Sequence, residues 1–471
     1  MGIDSAPPAE GEGDPGILDD FAMLRSEGDL NLGPERASWL RDAVDAETRE
    51  LLEEDARYFF RQSLSTPCLN ALASAQGPGF TDLEGRTFLD FHGNGLHQVG
   101  YGNPKVLEAI RRQLETLPFC PRRFTNRPAV ALARRLAELA PGRLSKVLLA
   151  PGGTTAIGMA LKIARAATGR FKTLSLWESF HGASLDAISI GGEALFRRGS
   201  GPLLPGTEHA PPPDPWQGPW PHMAAGDYAL RTAEYIEYVL EREGGDIGAV
   251  IAETVRWTPF VPPQAYWDRI RSACDRHNAL LILDEIPTCL GRSGRMFVCE
   301  HYELEPDILV LGKGLGGGVF PLAAVVARPE LDAAPEGALG HYTHEKNPVA
   351  CAAALATLDV IEEEGLLQRA AALGERALVR MREMQERRAL VNEARGLGLL
   401  LGLALRRPDG APAVVEAERL LYRCLRRGLS FKLTMGSIVT LAPPLMISEK
   451  DLDRAFDVIE EELAELERAG S

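Results

Sequence analysis

ALLILDE at residues 279–285 and ILVLGK at residues 308–313 are two short apolar segments, and each ends on a charged residue. A strand with one solvent-exposed face alternates apolar and polar side chains, whereas a strand covered on both faces is apolar throughout. Segments of the same kind, separated by stretches with helical spacing, are KVLLA at 146–150, TLSLW at 173–177 and IGAVIAE at 247–253. This alternation predicts an α/β fold with a doubly wound, mostly parallel sheet.

The ends of these segments are the first place to look for a site, because ligands of such sheets bind beyond the carboxyl ends of the strands. After residues 146–150 the chain continues as Pro151-Gly152-Gly153-Thr154-Thr155-Ala156 and then with helical spacing. A glycine-rich turn that starts a helix directs free backbone N–H groups at an anion, so this turn is a candidate phosphate site. The alternative is a tight strand-to-helix turn without a ligand.

Asp284-Glu285 and Lys313 are the charged residues at the two quoted ends. Burying a carboxylate there costs free energy unless the group is paired. The partner can be structural, in a helix cap or a salt bridge, or it can be a cationic ring nitrogen such as that of pyridoxal phosphate (PLP). Burial lowers the pKa of a lysine and makes its amine nucleophilic. The glycines of Gly314-Leu-Gly-Gly-Gly318, which follow Lys313, leave room for a cofactor. An anion site, an acid and an amine at three strand ends together predict a PLP site.

Composition excludes several other classes of function. The 51 basic and 66 acidic residues leave a net charge of −15, which disfavours nucleic acid and anionic membranes as partners. Seven dispersed cysteines and an N-terminus without a signal-peptide pattern predict a cytoplasmic protein. The cluster His341-Tyr-Thr-His344-Glu345 does not have a known ligand spacing, so no metal is predicted.

The chain is long enough for one large and one smaller domain. We predict a disordered or extended segment over residues 1–35, the first part of a small domain over 36–103, a large cofactor-binding domain over 104–345 and the rest of the small domain over 346–471. The proline-rich stretch 201–221 is predicted to be a functional loop, such as a lid. From about residue 350 the pattern predicts helices with one or two short strands.

Three blocks resemble the class III (ω) aminotransferases. Asp284-Glu-Ile-Pro-Thr-Cys-Leu-Gly-Arg-Ser-Gly-Arg295 is similar to their DE-x-x-T-G-x-G-R-x-G block, and Lys313 follows at the expected distance. His341-Tyr-Thr-His-Glu-Lys-Asn-Pro348 resembles their T-x-x-x-N-P block, and Leu441-Ala-Pro-Pro-Leu445 resembles a late APPL block. The resemblance extends from about residue 50 to the C-terminus and implies PLP fold type I with a smaller α+β domain.

The resemblance also implies a role for individual residues. Lys313 would bond covalently to the cofactor and move the substrate proton, and Asp284 would keep the pyridine nitrogen protonated. The backbone N–H groups of Gly153 and Thr154 would bind the phosphate. The remaining implied contacts are Phe180 stacked on the ring, Glu253 near Asp284, and Thr343 reaching the phosphate of a neighbouring subunit. A homodimer with shared active sites is therefore expected.

The departures from the family pattern bear on the reaction. Gly152, Thr155, Thr254 and Pro287 replace the usual serine, glutamate, proline and glutamine. Thr440 stands where many of the transaminases have an arginine that binds the carboxylate of a keto acid, so 2-oxoglutarate loses its bidentate partner. Since a transaminase needs a second substrate and a lyase does not, this favours elimination.

Within the family, the stretches Ser65–Asn70, Phe91–Tyr101 and Pro121–Pro128 resemble ammonia-lyases that act on a small amino compound bearing a phosphonate. Arg122 and Arg127 are candidate phosphonate contacts, with surface or dimer salt bridges as the alternative. His97 is a candidate substrate contact or a packing residue.

Four readings stay open: this lyase, an ω-transaminase that uses a small keto acid with another cation replacing the arginine, an aminomutase or decarboxylase, and a non-catalytic binding protein. A binding protein would need neither Lys313 nor Asp284.

Overall fold

The computed structural model describes residues 33–62, 68–216, 218–220 and 222–470. Most of the predicted N-terminal extended segment therefore lies outside the described residues, as do Ser65–Pro67 of one lyase-like stretch. Helix α1 begins at Pro34 and ends at Asp42, and helix α2 spans Ala46–Tyr58. Asp45 caps α2, because its carboxylate accepts a hydrogen bond from the backbone N–H of Thr48.

Within the described ranges, a seven-stranded sheet forms the centre of the molecule. Its strands, in spatial order, are β4 (Lys146–Ala150), β10 (Ala323–Ala327), β9 (Ile308–Leu311), β8 (Leu280–Asp284), β7 (Ile247–Glu253), β5 (Lys172–Leu176) and β6 (Thr207–Ala210). β10 pairs antiparallel with both of its neighbours, and the other pairings from β9 to β6 are parallel. The predicted α/β sheet is confirmed, with β6 and β10 as strands that the sequence analysis did not identify.

Successive side chains of β8 enter different cores, as the two-residue period of a strand requires. Ile282 packs in the cluster that contains helix α5 (Gly153–Thr168), and Leu281 and Leu283 pack in the cluster that contains helices α8 (Ala225–Arg242) and α9 (Gln264–His277). The sheet is therefore covered by helices on both faces. Two further helices, α6 (Leu185–Ile190) and α7 (Ala194–Arg197), follow β5. No helix in the described part of the chain is long and apolar enough to cross a membrane.

The N-terminal region contributes a hairpin that also pairs with the C-terminal region. Strands β1 (Leu72–Gln76), β2 (Gly79–Asp82) and β3 (Thr87–Asp90) are antiparallel, and the short strand β13 (Leu429–Ser430) pairs parallel with β3. Strands β2 and β3 form a hairpin within the alternating stretch at 79–91. Helices α3 (Pro104–Thr116) and α4 (Arg127–Leu139) then lead into β4, and the side chains of Asn103 and Asn126 cap them.

The C-terminal region contains more strand than predicted. Helices α10 (Pro348–Glu363) and α11 (Leu366–Arg387) precede β11 (Val391–Leu397) and β12 (Leu400–Leu405), and helix α12 (Val414–Arg426) precedes β14 (Lys432–Thr434) and β15 (Ile438–Leu441). In the described part of the chain these four strands form an antiparallel sheet in the order β11-β12-β15-β14, and helix α13 (Glu449–Gly470) follows. The prediction of one or two strands was wrong, because short strands buried on both faces lack a period-two signal.

The stretch 201–221 is not a lid in this structure. It contains the edge strand β6, and its later part packs against the C-terminal region. Asp214 forms an ion pair with Arg395 at 3.1 Å, and the guanidinium of Arg406 lies 3.9 Å from the ring centroid of Trp216. Buried contacts of this kind fix the segment, so the prediction of a lid was wrong.

Candidate active site

A cavity of about 370 Å³ opens at the carboxyl ends of the central strands. It is lined by Leu96, Gly152–Thr154, Phe180–Gly182, Glu253, Asp284, Ile286, Pro287, Lys313 and Gly318–Leu322. All three strand ends that the sequence analysis selected contribute to this lining. They converge because β4, β8 and β9 all point their carboxyl ends at the same edge of the sheet.

Lys313 follows β9 at the start of a 3-10 helix over Lys313–Gly316. Its φ is +46°, a left-handed conformation that costs energy for a residue with a side chain and that is concentrated at functional sites. The ammonium lies over the Trp257 ring, with Nζ 5.3 Å from the centroid. The aromatic face stabilises the cation and helps to orient the amine toward the cavity.

Asp284 ends β8 and is only 2% exposed. Its Oδ2 lies 2.8 Å from Nδ1 of His181, and its Oδ1 accepts the backbone N–H of Ile286 at 3.0 Å. These two contacts offset the cost of burying the carboxylate. His181 is itself buried, and its Nε2 has no hydrogen-bond partner among the described residues. His181 was not among the predicted site residues, although the adjacent Phe180 was, because nothing local shows that this residue reaches β8.

Glu253 and Asp284 are direct neighbours across β7 and β8, which confirms the predicted proximity. Glu285 has a different environment and is fully buried. It accepts hydrogen bonds from the Thr254 hydroxyl at 2.7 Å and from the backbone N–H groups of Val298 and Cys299 at 2.7 and 2.8 Å. Burial raises the pKa of Glu285 to about 7, and the hydrogen bonds act in the opposite direction. Glu285 therefore organises the following loop and does not line the cavity.

The glycine-rich turn places the first residues of α5 at the cavity wall. Helix α5 begins at Gly153, and neither Gly152 nor another cap side chain occupies its N–H groups. An added Cβ at Gly153 would lie 3.0 Å from Cδ1 of Ile286, so only glycine leaves this wall undisturbed. The Thr154 hydroxyl lies 2.6 Å from that of Ser184. The Thr154 backbone N–H belongs to the first turn of the helix and is directed along the helix axis. This helix start suits an anion such as phosphate.

Comparison with known proteins identifies the family. Residues 61–463 match the sequence profile described as aminotransferase class-III. The chain belongs to the class III aminotransferase family. It is 47% identical over 459 residues to the (R)-1-hydroxy-2-aminoethylphosphonate ammonia-lyase of Vibrio splendidus, an alignment that covers 94% of this chain and 96% of that protein. It is 34% identical to the leucine/methionine racemase of Thermococcus litoralis, over 89% of this chain and 96% of the racemase.

The fold comparison agrees with the sequence comparison. The chain superimposes with a TM-score of 0.80 on an amine transaminase from an uncultivated Pseudomonas species solved in its PLP-bound form. The sequence identity to that protein is 31%, and the match covers 87% of this chain and 99% of the transaminase. The predicted PLP fold type I is thereby confirmed, and the class III enzyme described here uses PLP as its cofactor.

The residues of the cavity fit PLP. The start of α5 would hold the phosphate, Asp284 would hold the pyridine nitrogen, and Lys313 would supply the amine that bonds to the cofactor. Phe180 lines the cavity and has the flat side chain that a ring can stack on, and its own ring lies 4.5 Å from that of Phe196. Trp257 is a further residue that the sequence analysis missed, because its segment contains no motif.

Four of the candidate residues lie outside the cavity lining of their own chain. The imidazole of His97 is fully buried and contacts the Asp90 carbonyl at 3.0 Å, and burial lowers its pKa. Arg122 forms an ion pair with Glu345 at 3.3 Å, and Arg127 is exposed at the start of α4. Thr343 is exposed in a loop before α10. Neither arginine nor Thr343 is therefore among the described residues that line the cavity.

Thr440 lies on β15 and is 1% exposed. Its hydroxyl is 2.8 Å from that of Thr434 on β14, so the two threonines satisfy each other. The position at which related transaminases carry an arginine is thus occupied by a neutral, hydrogen-bonded pair.

Proposed function

We propose that this enzyme is a PLP-dependent ammonia-lyase that converts (R)-1-hydroxy-2-aminoethylphosphonate to phosphonoacetaldehyde and ammonia. The observation that carries the proposal is the buried Thr440–Thr434 pair, which leaves no guanidinium for the carboxylate of 2-oxoglutarate. The 47% identity to a lyase of this specificity, extending over 94% of the chain, supports the same reaction.

The reaction consists of an elimination followed by hydrolysis. The amine carbon loses a proton, the neighbouring carbon loses its hydroxyl group, and the two together leave as water. The resulting enamine rearranges to an imine, which takes up water and releases ammonia and the aldehyde. No amino acceptor is consumed, so no keto-acid site is needed.

Bound PLP supplies an electron sink that stabilises negative charge on the amine carbon. In this proposal the Lys313 amine would hold the cofactor and would remove the proton from that carbon. Asp284 favours the protonated ring nitrogen, and His181 keeps the Asp284 carboxylate in position. The backbone N–H groups at the start of α5 would hold the phosphate of the cofactor.

The second candidate function is an ω-transaminase with a small keto-acid acceptor. It is favoured by the fold, since the similar solved structures include amine transaminases with TM-scores of 0.80 to 0.84. The two candidates differ in one product, because a transaminase transfers the amino group and a lyase releases it.

The test is to incubate the cofactor-loaded enzyme with the (R)-hydroxyaminophosphonate in the absence of any keto acid and to assay ammonia and aldehyde together. We expect the two to appear in equal amounts, while 2-oxoglutarate is a poor acceptor. Lys313→Ala is the matched inactive control, because it removes the amine that would bond to the cofactor. Efficient amino transfer to 2-oxoglutarate without release of ammonia would refute the lyase and establish the transaminase.

A further inference from the structure

One face of the C-terminal sheet carries a row of residues in register. Arg395 of β11 lies opposite Gly402 of β12, Gly402 opposite Thr440 of β15, and Thr440 opposite Lys432 of β14. Residues directly opposite each other in an antiparallel sheet project to the same side. Lys432 therefore shares a face with Thr440, one strand away from the position of the missing arginine.

This face of the sheet is directed at the loop that carries Trp257. Gly402 approaches the loop after β7 so closely that an added Cβ would lie 3.3 Å from Cγ of Pro259. The same loop carries Trp257, over whose ring the Lys313 ammonium lies. The row of residues thus faces the loop on which the Lys313 ammonium rests.

Lys432 also lies next to the loop that follows β3. Ser430 pairs with Asp90 in the parallel β13–β3 ladder, and the Phe91 N–H donates a hydrogen bond to the Ser430 carbonyl. Because the two segments run side by side, His92 lies alongside Lys432. Burial lowers the pKa of His92 well below its usual value, and the charges of Lys432 and Lys313 lower it further. Both lysines are therefore close to one imidazole.

Of the cations in this row, Lys432 is the one that remains available to a ligand. Arg395 is buried, forms an ion pair with Asp214 at 3.1 Å, and lies within 6.0 Å of the centroids of the Trp216 and Phe260 rings. No carboxylate among the described residues forms an ion pair with the half-buried Lys432. Lysines 105, 146 and 172, by contrast, each pair with an acidic side chain.

We propose that Lys432 binds the phosphonate of the substrate and sets the preference of the enzyme for an anionic amine. This inference rests on the proposed function and assigns its anion site. A partly desolvated ammonium forms strong charge-assisted hydrogen bonds to phosphonate oxygens, and its point charge suits a tetrahedral anion better than a planar carboxylate. Lys432, on the strand next to Thr440, thus takes over the role of the transaminase arginine. Its ammonium is a point charge, whereas a guanidinium is a planar fork.

The test measures binding as well as turnover. The cofactor-loaded wild-type enzyme and the Lys432→Met variant are titrated with 1-hydroxyethylphosphonate, which carries the anionic group but no amine, in a calorimeter. We expect Lys432→Met to weaken this binding by about tenfold or more and to raise KM for the hydroxyaminophosphonate by a similar factor, with a smaller change in kcat. Lys432→Arg keeps the charge and is expected to retain more affinity than Lys432→Met.

Lys450→Met is the matched control, since Lys450 is exposed at the start of α13 and its loss should leave affinity unchanged. Arg127→Met tests the residue that the sequence analysis assigned to the same role. If Lys432→Met is folded, as judged by its thermal unfolding, and binds the phosphonate as tightly as wild type, the assignment is wrong. It is equally wrong if Lys432→Met and Lys432→Arg lose affinity to the same extent. A wild-type enzyme that binds the phosphonate through Lys432 but releases no ammonia would overturn the lyase reaction and leave the anion site standing.

Discussion

Asp284 combines the two properties that a partner of the cofactor ring needs, a charge and a fixed orientation. The carboxylate is buried at the end of β8, where a charge without partners would cost several kcal/mol. His181 and the Ile286 N–H bind one oxygen each, so the side chain cannot rotate away from the cavity. The same contacts that make the burial tolerable therefore also preorganise the site.

Asp284→Asn should lower kcat by about a hundred- to a thousand-fold, a loss typical of removing one preorganised electrostatic group. The amide cannot favour the protonated ring nitrogen, so negative charge on the amine carbon is less stabilised. Steady-state ammonia release at saturating substrate measures the effect, and cofactor absorbance confirms that PLP is still bound. A decrease smaller than tenfold would assign Asp284 a structural role only.

At the scale of elements, the loop after β8 is fixed by side chains of the sequence block that first suggested the family. Glu285 binds the backbone N–H groups of Val298 and Cys299. Arg292 is fully buried and donates hydrogen bonds to the carbonyls of Pro443 and Leu399, which joins this loop to the APPL segment and to the turn before β12. Burial lowers the pKa of Arg292 to about 9. The block thus connects the central sheet to the C-terminal sheet, and only Asp284 of its charged residues faces the cofactor.

Glu285→Gln should destabilise the folded enzyme by about 1–3 kcal/mol at pH 5, because one buried N–H loses its acceptor. Because the pKa of Glu285 is raised in the folded state, the folded protein binds this proton more tightly than the unfolded chain does. The resulting stabilisation is present below about pH 4.5 and is lost as the pH rises through about 7. The neutral variant lacks this dependence, and the difference between the two proteins should narrow toward pH 8.

Denaturant unfolding of the cofactor-loaded proteins at pH 5, 6, 7 and 8 measures both effects. Glu303→Gln, at an exposed position in the same loop, is the control and should follow the wild-type profile. A constant difference across the pH range would show that Glu285 keeps its usual pKa.

At the scale of the whole molecule, several large aromatic side chains are exposed on the surface of the single chain. Phe60 is 94% exposed and Phe124 is 66% exposed, and Phe124 lies between Arg122 and Arg127. Large exposed aromatic side chains are typical of protein interfaces. Thr343 is exposed in its own chain, as expected of a residue that contacts the cofactor of a neighbouring subunit.

We predict that the active enzyme is a homodimer, with a sedimentation mass twice the 51.2 kDa of the chain. Phe124→Asp should shift the protein toward monomer and reduce ammonia release in parallel, because a charge is costly in an apolar interface and Thr343 would no longer reach the partner's site. Val379→Asp, at another exposed apolar position on α11, is the control. A wild-type monomer with full activity would contradict the shared site.

The sequence by itself determined the central sheet and the core of the site. Each of the segments at 146–150, 247–253, 279–285 and 308–313 is apolar apart from the charged residues at its ends, and this pattern is local. The chain direction of parallel strands then brings Gly153, Asp284 and Lys313 to one edge without further information. The cofactor could therefore be predicted before any contact was known.

Only the tertiary structure decided the contacts between residues distant in the chain. It placed His181 on Asp284 and Trp257 under Lys313, replaced the predicted lid by an edge strand, and showed that Arg122 pairs with Glu345. Lys432 carries no motif and gained its place from the register of four strands in the C-terminal sheet. Such contacts depend on strand pairing and on the packing of one sheet against a distant loop, and a period of two or 3.6 residues along the chain contains no information about either.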